Sequence, residues 1–385
     1  GGMLGIEQKY DKYLTGTPGH YITARDAWGK SMPTKYETYI EAQDGYQVET
    51  TLDLKIQSAL ETQLEKTYYE SNATNRVTGI VMDVNTGGVL GMATYPSFDL
   101  NNPYELSDEL LTLFSTYMTD TNQARVREND NYENFAEMIY NYNEIKENYE
   151  TDSEEYQNAY MELLYTLWRN KAVSELYEPG STFKIITTSM AFEENVITPN
   201  TVFTCYDPYS VEGTKIHCHK RGGHGTHEYS YMLQQSCNPT LIQVAQLVGN
   251  EKFYQYFEAY GYTSKTGIDL PAEASPIFHN YSGFNSVELA TYSFGQTFKI
   301  TPIQQITAVS TVANGGYLLT PHVVSRITDN DGNVVYSADE TPKRQVVSSE
   351  VCETIAEILE EGVSGNGGAK NTYVPGYKIA AKTGT

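Results

Sequence analysis

A serine and a lysine three positions apart, Ser181 and Lys184, form the first pattern in the sequence that could carry out chemistry. Pro179 and Gly180 end an extended run before them, and apolar residues at helical spacing continue to Met190, so we predict that Ser181 opens a helix. Residues three apart share one helix face. A lysine in an apolar pocket can lose its proton and act as base for a serine nucleophile, while N–H groups at the helix start favour a developing oxyanion. The pair therefore indicates serine-based acyl transfer.

Two later motifs support this interpretation, which Ser-x-x-Lys alone would not, because serine is also a common helix cap. Ser236-Cys237-Asn238 lies in a polar break before an apolar helical segment. Lys382-Thr383-Gly384-Thr385 follows residues 377–381, which we predict to form a strand. The order S-x-x-K, S-x-N and a strand-borne K-T-G is typical of penicillin-recognising serine enzymes. The three motifs predict one active site assembled from distant parts of the chain.

The elements that must position these motifs indicate an α+β fold. Residues 53–69 have the spacing of an amphipathic helix, and two apolar strands around the turn at residues 85–88 predict an antiparallel hairpin. A second strand set follows late in the chain, over residues 316–326 and 334–337, and the segments between are mostly helical. Asp44-Gly45 predicts a further hairpin turn, with a strand behind it.

The overall charge excludes one class of function. The 385 residues carry a formal net charge of −23 and a sequence pI of about 4.6, whereas nucleic-acid binding needs a basic surface. Residues 104–164 hold fifteen acidic residues against three basic ones, a net charge of −12. We expect a solvated helical insertion there, with a partner-docking surface as the alternative. The apolar stretches are too short to span a bilayer and no signal peptide opens the chain, so we expect a soluble piece of a protein anchored elsewhere.

Taken together, these motifs resemble the class B penicillin-binding proteins, the monofunctional peptidoglycan transpeptidases. The resemblance extends along nearly the whole chain and leans toward division- and sporulation-type members of Gram-positive bacteria. Beyond the three motifs, the segments that carry it are Gly5-Ile6-Glu7, Thr51-Leu52-Asp53, Tyr95-Pro96-Ser97-Phe98-Asp99, Trp168-Arg169-Asn170, Thr266-Gly267-Ile268-Asp269-Leu270-Pro271 and Ser293-Phe294-Gly295-Gln296.

The resemblance implies the penicillin-binding transpeptidase fold, an antiparallel sheet flanked by helices with an all-helical subdomain. Residues 1–48 would be a remnant of a pedestal or linker, and residues 49–385 the catalytic domain, with the acidic helical insertion over residues 104–164. Members of the family continue for more strands and a terminal helix, so we expect the catalytic domain to be incomplete at its C-terminal end.

The activity implied by the resemblance is D,D-transpeptidation through a serine acyl-enzyme that β-lactams also form. Ser181 would be the nucleophile and Lys184 its base, while Ser236 would relay a proton to the leaving amine and Asn238 would hold the substrate amide. No cofactor is expected for catalysis. The alternatives are a β-lactamase or D,D-carboxypeptidase on the same scaffold, and a non-catalytic scaffold for division or elongation proteins.

The third motif would bind the end of the substrate. By the same resemblance, Lys382 and Thr383 would hold the terminal carboxylate, and the N–H groups of Ser181 and Thr385, which follows Gly384, would form the oxyanion hole. Peptidoglycan stem peptides would be the substrates. The implied partners are a membrane-embedded glycosyltransferase and division or elongation proteins. The implied location is the extracytoplasmic face of the cell membrane, through one N-terminal anchor outside this sequence.

A second candidate site is a cluster of cysteine and histidine residues between the first and the second motif. Thiolate, imidazole and carboxylate groups at this density suit tetrahedral Zn²⁺ in a structural role. The alternatives are a disulfide between the two nearest cysteines, which would be natural in an extracytoplasmic domain, and unpaired thiols on a polar loop. The predicted ligands are Cys205, Asp207, His217 and Cys218, with His219 and His224 as substitutes. The other two cysteines, Cys237 and Cys352, are predicted to be buried as small apolar residues.

Overall fold

The computed structural model describes residues 1–22, 28, 38–73, 75–106, 110 and 135–384. Within these ranges the helices are α1 Gly5–Lys9, α2 Asp11–Leu14, α3 Leu54–Glu70, α4 Phe135–Asn148, α5 Glu154–Trp168, α6 Lys171–Ser174, α7 Lys184–Glu193, α8 Tyr229–Gln234, α9 Asn238–Val248, α10 Asn250–Ala259, α11 Ser286–Tyr292, α12 Pro302–Ala313 and α13 Ser349–Ser364. The strands are β1 His20–Ile22, β2 Thr38–Ile40, β3 Gln47–Thr50, β4 Val77–Met82, β5 Val89–Tyr95, β6 Val202–Cys205, β7 Tyr209–Val211, β8 Thr214–Ile216, β9 Gly225–Glu228, β10 Tyr317–Leu318, β11 Val324–Thr328, β12 Val334–Ser337 and β13 Arg344–Gln345. This mixture of helices and short antiparallel ladders confirms the predicted α+β class.

One sheet joins an early strand to two late ones. β3 pairs antiparallel with β11, with Val48 opposite Ile327, and β12 pairs with the other edge of β11. The prediction of a hairpin at Asp44-Gly45 is therefore wrong, because β3 pairs with β11 and not with the strand before the turn. Val48 packs against the buried side chains of Tyr10, Val324 and Ile327, so burial of one strand face, and not the local turn, decides the pairing.

The predicted early helix and hairpin are both present. Asp53 caps α3 by accepting hydrogen bonds from the N–H groups of Lys55 and Ile56. β4 and β5 form the antiparallel hairpin, with Ile80 opposite Met92, and α3 packs against both strands. On the rest of the molecule, the hairpin contacts α6, and its strand β4 also contacts α12.

Helix α7 is the centre of the largest apolar core. Nine of its ten residues are buried, so the helix lies in the interior with protein packed on every side. Helices α9, α10, α12 and α13 pack around it. Aromatic rings from three different segments, Phe183, Phe257 and Phe298, meet just below the start of the helix. The first motif is thus built on an element that is packed on all sides in the core.

The described part of the acidic stretch forms two helices, α4 and α5, as predicted. Their buried faces meet at Phe135, Ile139, Leu163 and Leu167, while the acidic side chains at the start of α5 are exposed. The rest of that stretch, residues 107–109 and 111–134, lies outside the described residues. None of the helices in the described ranges combines the length and the apolar character needed to cross a membrane.

The strand predicted before the third motif is wrong. Residues 377–381 have no strand assignment and no ladder partner among the described strands. Residues 380–382 line a cavity of about 370 Å³ together with residues 78–80 of β4, so this side of the segment faces open space and not a neighbouring strand.

Candidate active site

Ser181 lies where the sequence predicts it, at the start of the catalytic helix. It belongs to a 3₁₀ turn, Gly180–Phe183, that continues directly into α7, and it is only 3% exposed. The neighbouring hydroxyl fixes this turn: Thr182 Oγ1 donates to the carbonyl of Pro179 and accepts a hydrogen bond from Gln305 Nε2 at 3.1 Å. Ser181 is therefore presented by a turn that is held from two sides.

Lys184 joins the first motif to the second. Its side chain is fully buried, and its Nζ lies 2.7 Å from the carbonyl oxygen of Ser236, 2.9 Å from Ser236 Oγ and 2.6 Å from Asn238 Oδ1. Burial, and then the positive charge of Lys382, lower the pKa of Lys184 well below its usual value. Ser181 Oγ makes no hydrogen bond within the described residues. Lys184 therefore contacts the second motif and not Ser181, the serine of its own motif.

Ser236 occupies a strained backbone position at the end of α8. Its N–H donates to the carbonyl of Leu233, and the N–H of Cys237 donates to that of Met232, each at 3.0 Å, which is the Schellman pattern of a helix end. The left-handed residue in this pattern is usually glycine, but here it is Ser236, with φ 57°. A side chain in this conformation costs about 1–2 kcal/mol. The turn is what directs both oxygens of Ser236 toward Lys184.

The third motif approaches the same serine from the opposite side. Lys382 Nζ donates to Ser236 Oγ and to the carbonyl of Thr383, each at 2.9 Å. Burial lowers the pKa of Lys382 to about 8. A Cβ on Gly384 would lie 3.4 Å from the methyl group of Thr182, so the motif passes beside the turn that carries the first one. Thr385 lies outside the described residues, and its predicted role stays a prediction.

The three motifs thus share one hydroxyl group. Ser236 Oγ lies within hydrogen-bonding distance of two lysine nitrogens, from Lys184 and Lys382. Two adjacent ammonium groups would repel each other, and this repulsion adds to the burial that disfavours the charged form of Lys184. The arrangement can supply a neutral amine as base, a hydroxyl that passes protons and a cation for an anionic substrate group.

A second group of reactive side chains lies directly behind the second motif. Cys205, Cys218, His224 and Cys237 are all buried, and one potential ligand atom from each lies within 4.8 Å of the others. A tetrahedral zinc ion with bonds of about 2.3 Å to sulfur holds its ligand atoms roughly 3.8 Å apart, so a small closure would complete the site. A hydrogen bond from Cys237 lowers the pKa of Cys218, whereas the hydrogen bond with Cys218 raises the pKa of Cys237 and burial raises that of Cys205. Cys218 is therefore the thiol of this group that most readily forms the thiolate that metals bind.

The loop that closes this cluster requires a glycine. Gly223 has φ +75°, and a Cβ there would lie 2.7 Å from the carbonyl oxygen and 3.1 Å from Sγ of Cys205. The nearest contact within the cluster is 3.3 Å, between Cys218 Sγ and His224 Nδ1. All four cysteines of the chain are free thiols in the structure. The donor set and the close-packed loop fit a structural zinc ion.

The grouping differs from the predicted ligand set in two members. Asp207 and His217 lie outside the cluster: the Asp207 carboxylate accepts the N–H groups of Cys218 and Gly222, each at 3.0 Å, and contacts His217 Nδ1 at 3.2 Å. Asp207 is therefore a loop-organising carboxylate. Their places are taken by His224, predicted as a substitute, and by Cys237, predicted to be a small apolar residue.

The sequence contained a sign that Cys237 belongs to the cysteine and histidine cluster, although Cys237 is distant from the other members along the chain. Cys237 is nineteen positions beyond Cys218, but it lies inside the second motif, between Ser236 and Asn238. Because Ser236 and Asn238 must both reach Lys184, Cys237 between them also lies in the interior, beside the hairpin over residues 202–228. Cys352, by contrast, is buried on α13 away from this cluster, as expected.

The fold and the three converging motifs define a transpeptidase domain of the penicillin-binding type. The family model described as "Penicillin binding protein transpeptidase domain" matches residues 77–385, and the chain belongs to this family. Within it the chain is a class B penicillin-binding protein, which confirms both the resemblance and the predicted fold.

Named relatives agree with this assignment. The chain is 32% identical to stage V sporulation protein D of Bacillus subtilis (strain 168), over all of this chain and 51% of the relative. It is 23% identical to peptidoglycan D,D-transpeptidase FtsI of Escherichia coli (strain K12), over all of this chain and 53% of that one. A crystal structure of penicillin-binding protein 3 from a Mycobacterium species, complexed with ampicillin, shares the fold with a TM-score of 0.72 at 23% identity, over all of this chain and 70% of that one. The chain spans about half the length of the curated relatives it matches.

Proposed function

We propose that this chain is the catalytic part of a peptidoglycan D,D-transpeptidase that forms an acyl-enzyme on Ser181. Ser181 Oγ attacks the carbonyl carbon of the penultimate D-Ala of a stem peptide, and the C–N bond to the last D-Ala breaks. An amine of a neighbouring stem then attacks the ester, forms the cross-link and releases Ser181. The convergence of Lys184 and Lys382 on Ser236 Oγ is the observation that carries this proposal.

The partners of Lys184 accommodate either protonation state, and its lowered pKa favours the neutral amine as the base. An ammonium group would donate to all three acceptors, which are the carbonyl oxygens of Ser236 and Asn238 and the hydroxyl oxygen of Ser236. In the neutral amine the two carbonyl oxygens, which can only accept, take both N–H groups, and the hydroxyl of Ser236 donates to the lone pair. Lys382 then donates to the free lone pair of that hydroxyl. When substrate arrives, Lys184 and Ser236 can shift together to take the proton of Ser181 and pass it to the leaving amine.

The remaining residues of the motifs bind and orient the substrate. Lys382 and Thr383 would bind the terminal carboxylate, and the charge on Lys382 would give this contact its strength. Asn238 holds the substrate amide once Lys184 has moved toward Ser181. The N–H of Ser181, at the start of a helix, stabilises the oxyanion, and we keep the predicted N–H of Thr385 as its partner.

Covalent labelling tests this proposal. The protein is incubated with benzylpenicillin, its intact mass is measured over time, and the adduct is mapped by peptide mass spectrometry. We expect one added penicilloyl group, on Ser181, and none in the Ser181→Ala variant. An adduct on another residue, or full labelling of Ser181→Ala, would overturn the assignment.

The lifetime of the adduct separates the enzyme classes. An adduct that persists for many minutes and is discharged by an added D-amino acid or stem-peptide amine supports transpeptidation. Release by water within seconds indicates a β-lactamase or carboxypeptidase on this scaffold. A chain that never forms the adduct, although folded by circular dichroism, would be a non-catalytic scaffold.

We also propose that Cys205, Cys218, His224 and Cys237 hold one structural zinc ion. Three thiols and one imidazole are a common structural set for this metal, and all four are buried close together. The ion would fix the hairpin formed by β6 to β9 and, through Cys237, the turn of the second motif. It supplies no catalytic group, since the acyl transfer uses the serine and lysine side chains.

Metal analysis of protein purified without chelator tests this set. We expect about one zinc ion per chain, as for other closed four-ligand sites, lost in Cys237→Ser and retained in the matched control Cys352→Ser. His217→Ala separates the two ligand sets, because it removes zinc only if the set predicted from sequence alone is the true one. Zinc-free protein whose Cys205 and Cys218 resist alkylation until reduced would show a disulfide instead.

The location and partners of the whole protein are proposals as well. Because its substrate lies outside the cytoplasmic membrane, we propose that the full protein is held at the extracytoplasmic face by one N-terminal anchor. A membrane-embedded glycosyltransferase would supply the glycan strands that this domain cross-links, together with division, sporulation or elongation proteins. Fractionation of cells that express the full protein, with protease added outside, tests the location.

A further inference from the structure

Three consecutive hydroxyl residues lie in the middle of α7, and each is fully buried: Thr187, Thr188 and Ser189. Serine and threonine are weaker helix formers than the aliphatic residues around them, and a buried hydroxyl is costly unless it is hydrogen-bonded. Two of the three contact tyrosine hydroxyls. Thr188 Oγ1 lies 2.6 Å from the hydroxyl of Tyr229, and Ser189 Oγ lies 2.7 Å from that of Tyr260.

The direction of these two hydrogen bonds follows from counting protons. Thr188 Oγ1 lies 2.6 Å from the carbonyl oxygen of Lys184, which can only accept, so its single proton is used there. Tyr229 must then donate to Thr188. The same count makes Tyr260 the donor to Ser189, whose proton goes to another carbonyl of α7 at 2.7 Å. The two tyrosines are therefore chemically equivalent contacts on neighbouring positions of one helix.

The two tyrosines come from elements with different relations to the active site. Tyr229 is the first residue of α8, the helix that ends in the strained turn at Ser236. Tyr260 directly follows α10, and within the described residues α10 contributes no hydrogen bond to Lys184, Ser236 or Lys382. Of these two tyrosine hydrogen bonds, the one from Tyr229 joins the helix of the first motif to the helix that leads into the second.

Tyr229 is also held firmly at its own end. It is fully buried, its ring packs edge-on against Phe192 of α7 and Phe203 of β6, and its N–H donates to the carbonyl of Thr201 at 2.8 Å. Its hydroxyl therefore cannot drift without moving α8. One turn of α7 separates Thr188 from Lys184, so the hydrogen bond acts on the part of the helix that carries the base.

We infer that Tyr229 is a positioning residue for acyl transfer: through Thr188, its hydroxyl sets the spacing between Lys184 and Ser236. This inference rests on the proposed function, because it concerns the rate of the same acylation. Lys184 holds its three partners at 2.6–2.9 Å, and displacements of about 1 Å in such a site can lower a rate on the order of a hundredfold.

Two matched variants test the inference, Tyr229→Phe and Tyr260→Phe. Each removes one buried hydroxyl and leaves one buried side-chain oxygen without its donor, so both should lower the melting temperature by a similar amount. We measure the acylation rate constant at saturating β-lactam and the dissociation constant of the preceding complex. We expect Tyr229→Phe to lower the rate constant about tenfold or more with an unchanged dissociation constant, and Tyr260→Phe to leave both within about twofold.

Substitutions on the other side of the hydrogen bond guard against general loss of fold. Thr188→Val removes the hydroxyl at nearly constant shape and should slow acylation like Tyr229→Phe, and the double variant should be no slower than either. Thr188→Ser keeps the hydroxyl and should restore the rate. Equal slowing by Tyr260→Phe, or a Tyr229→Phe rate constant within twofold of the parent, would overturn the inference. If the parent protein is not acylated at all, the proposed function fails first, and the labelling experiment shows that separately.

Discussion

The two sides of the active site are held in place by different physics. On one side, Ser181 and Lys184 lie on a helix that is buried nearly all around in the main apolar core. On the other, the hairpin over residues 202–228 is largely exposed, and its strand β9 has no buried residue. Its organisation depends on the Asp207 carboxylate and on the four-residue cysteine and histidine cluster.

Because of this difference, metal concentration and redox potential should affect the hairpin side of the site and not the helix side. Apolar packing holds Lys184 in place at any metal concentration and any redox potential. The hairpin has little apolar burial to replace the cluster, and Cys237 places one member of that cluster between Ser236 and Asn238. The catalytic geometry should therefore be lost from the hairpin side first.

The largest effect should come from the core side, through Lys184→Arg. A guanidinium does not lose its proton in proteins, so the variant lacks a base while keeping a positive charge. We expect acylation to fall by about a hundredfold to ten-thousandfold, the usual contribution of general base catalysis. Stopped-flow measurement with a chromogenic β-lactam checks this.

The control for that experiment is Lys382→Arg, which changes the other lysine on Ser236 in the same way. It keeps the charge that substrate binding needs, so its acylation should fall far less. A Lys184→Arg rate within about threefold of the parent, or roughly 0.7 kcal/mol in barrier height, would reject Lys184 as the base.

The next effect should come from the hairpin side, through Gly223→Ala. The left-handed conformation costs about 1–2 kcal/mol for alanine, and here the new methyl group also meets the backbone of Cys205 at 2.7 Å. We expect loss of bound zinc and a fall in unfolding free energy of about 2–4 kcal/mol, in the range of other strained or overpacked positions. Chemical denaturation and metal analysis measure the two.

Gly213→Ala is the matched control for this prediction. Gly213 has φ +88°, and nothing lies within 4 Å of where its Cβ would be. This variant should show the conformational penalty alone and keep its zinc. If the two variants lose stability equally, the close packing around Cys205 contributes nothing to the hairpin.

The smallest effect is a pH dependence that reports on Lys382. Its pKa of about 8 means that the ammonium group is present below pH 8 and is lost above it. Binding of a ligand with a carboxylate should therefore weaken above pH 8, approaching tenfold per pH unit if the charge is essential. The measurement is the dissociation constant of benzylpenicillin between pH 7 and about 9.5. In Lys382→Arg the dissociation constant should no longer rise above pH 8. A parent profile that is already flat would show that this lysine does not bind the carboxylate.

Much of the site could be predicted from the sequence because its motifs are local. Ser181 and Lys184 are one turn apart, and their helix has a clear apolar pattern, so their position follows from the chain itself. The order of the three motifs then predicted that Ser236 and Lys382 meet them. What the motifs could not give was the partner of Lys184, which contacts Ser236 and Asn238 across 52 and 54 positions of sequence.

The error in strand pairing came from an interaction between residues far apart in sequence. The strand β3 follows a good hairpin turn, yet it pairs with β11 because Val48 finds its apolar neighbours there. The predicted metal ligands followed the density of histidines along the chain, whereas the fold brings Cys237 to Cys205, Cys218 and His224. Density in sequence is a guide to a metal site only when the ligands come from one loop.

The left-handed turn at Ser236 has a consequence for how relatives of this chain can diverge. A glycine at that position would remove the backbone penalty and stabilise the end of α8, but it would delete the hydroxyl that both lysines share. Selection for stability and selection for catalysis therefore favour different residues at one position. In a copy of this domain that does not use the Ser236 hydroxyl, glycine at this position would therefore be the more stable residue.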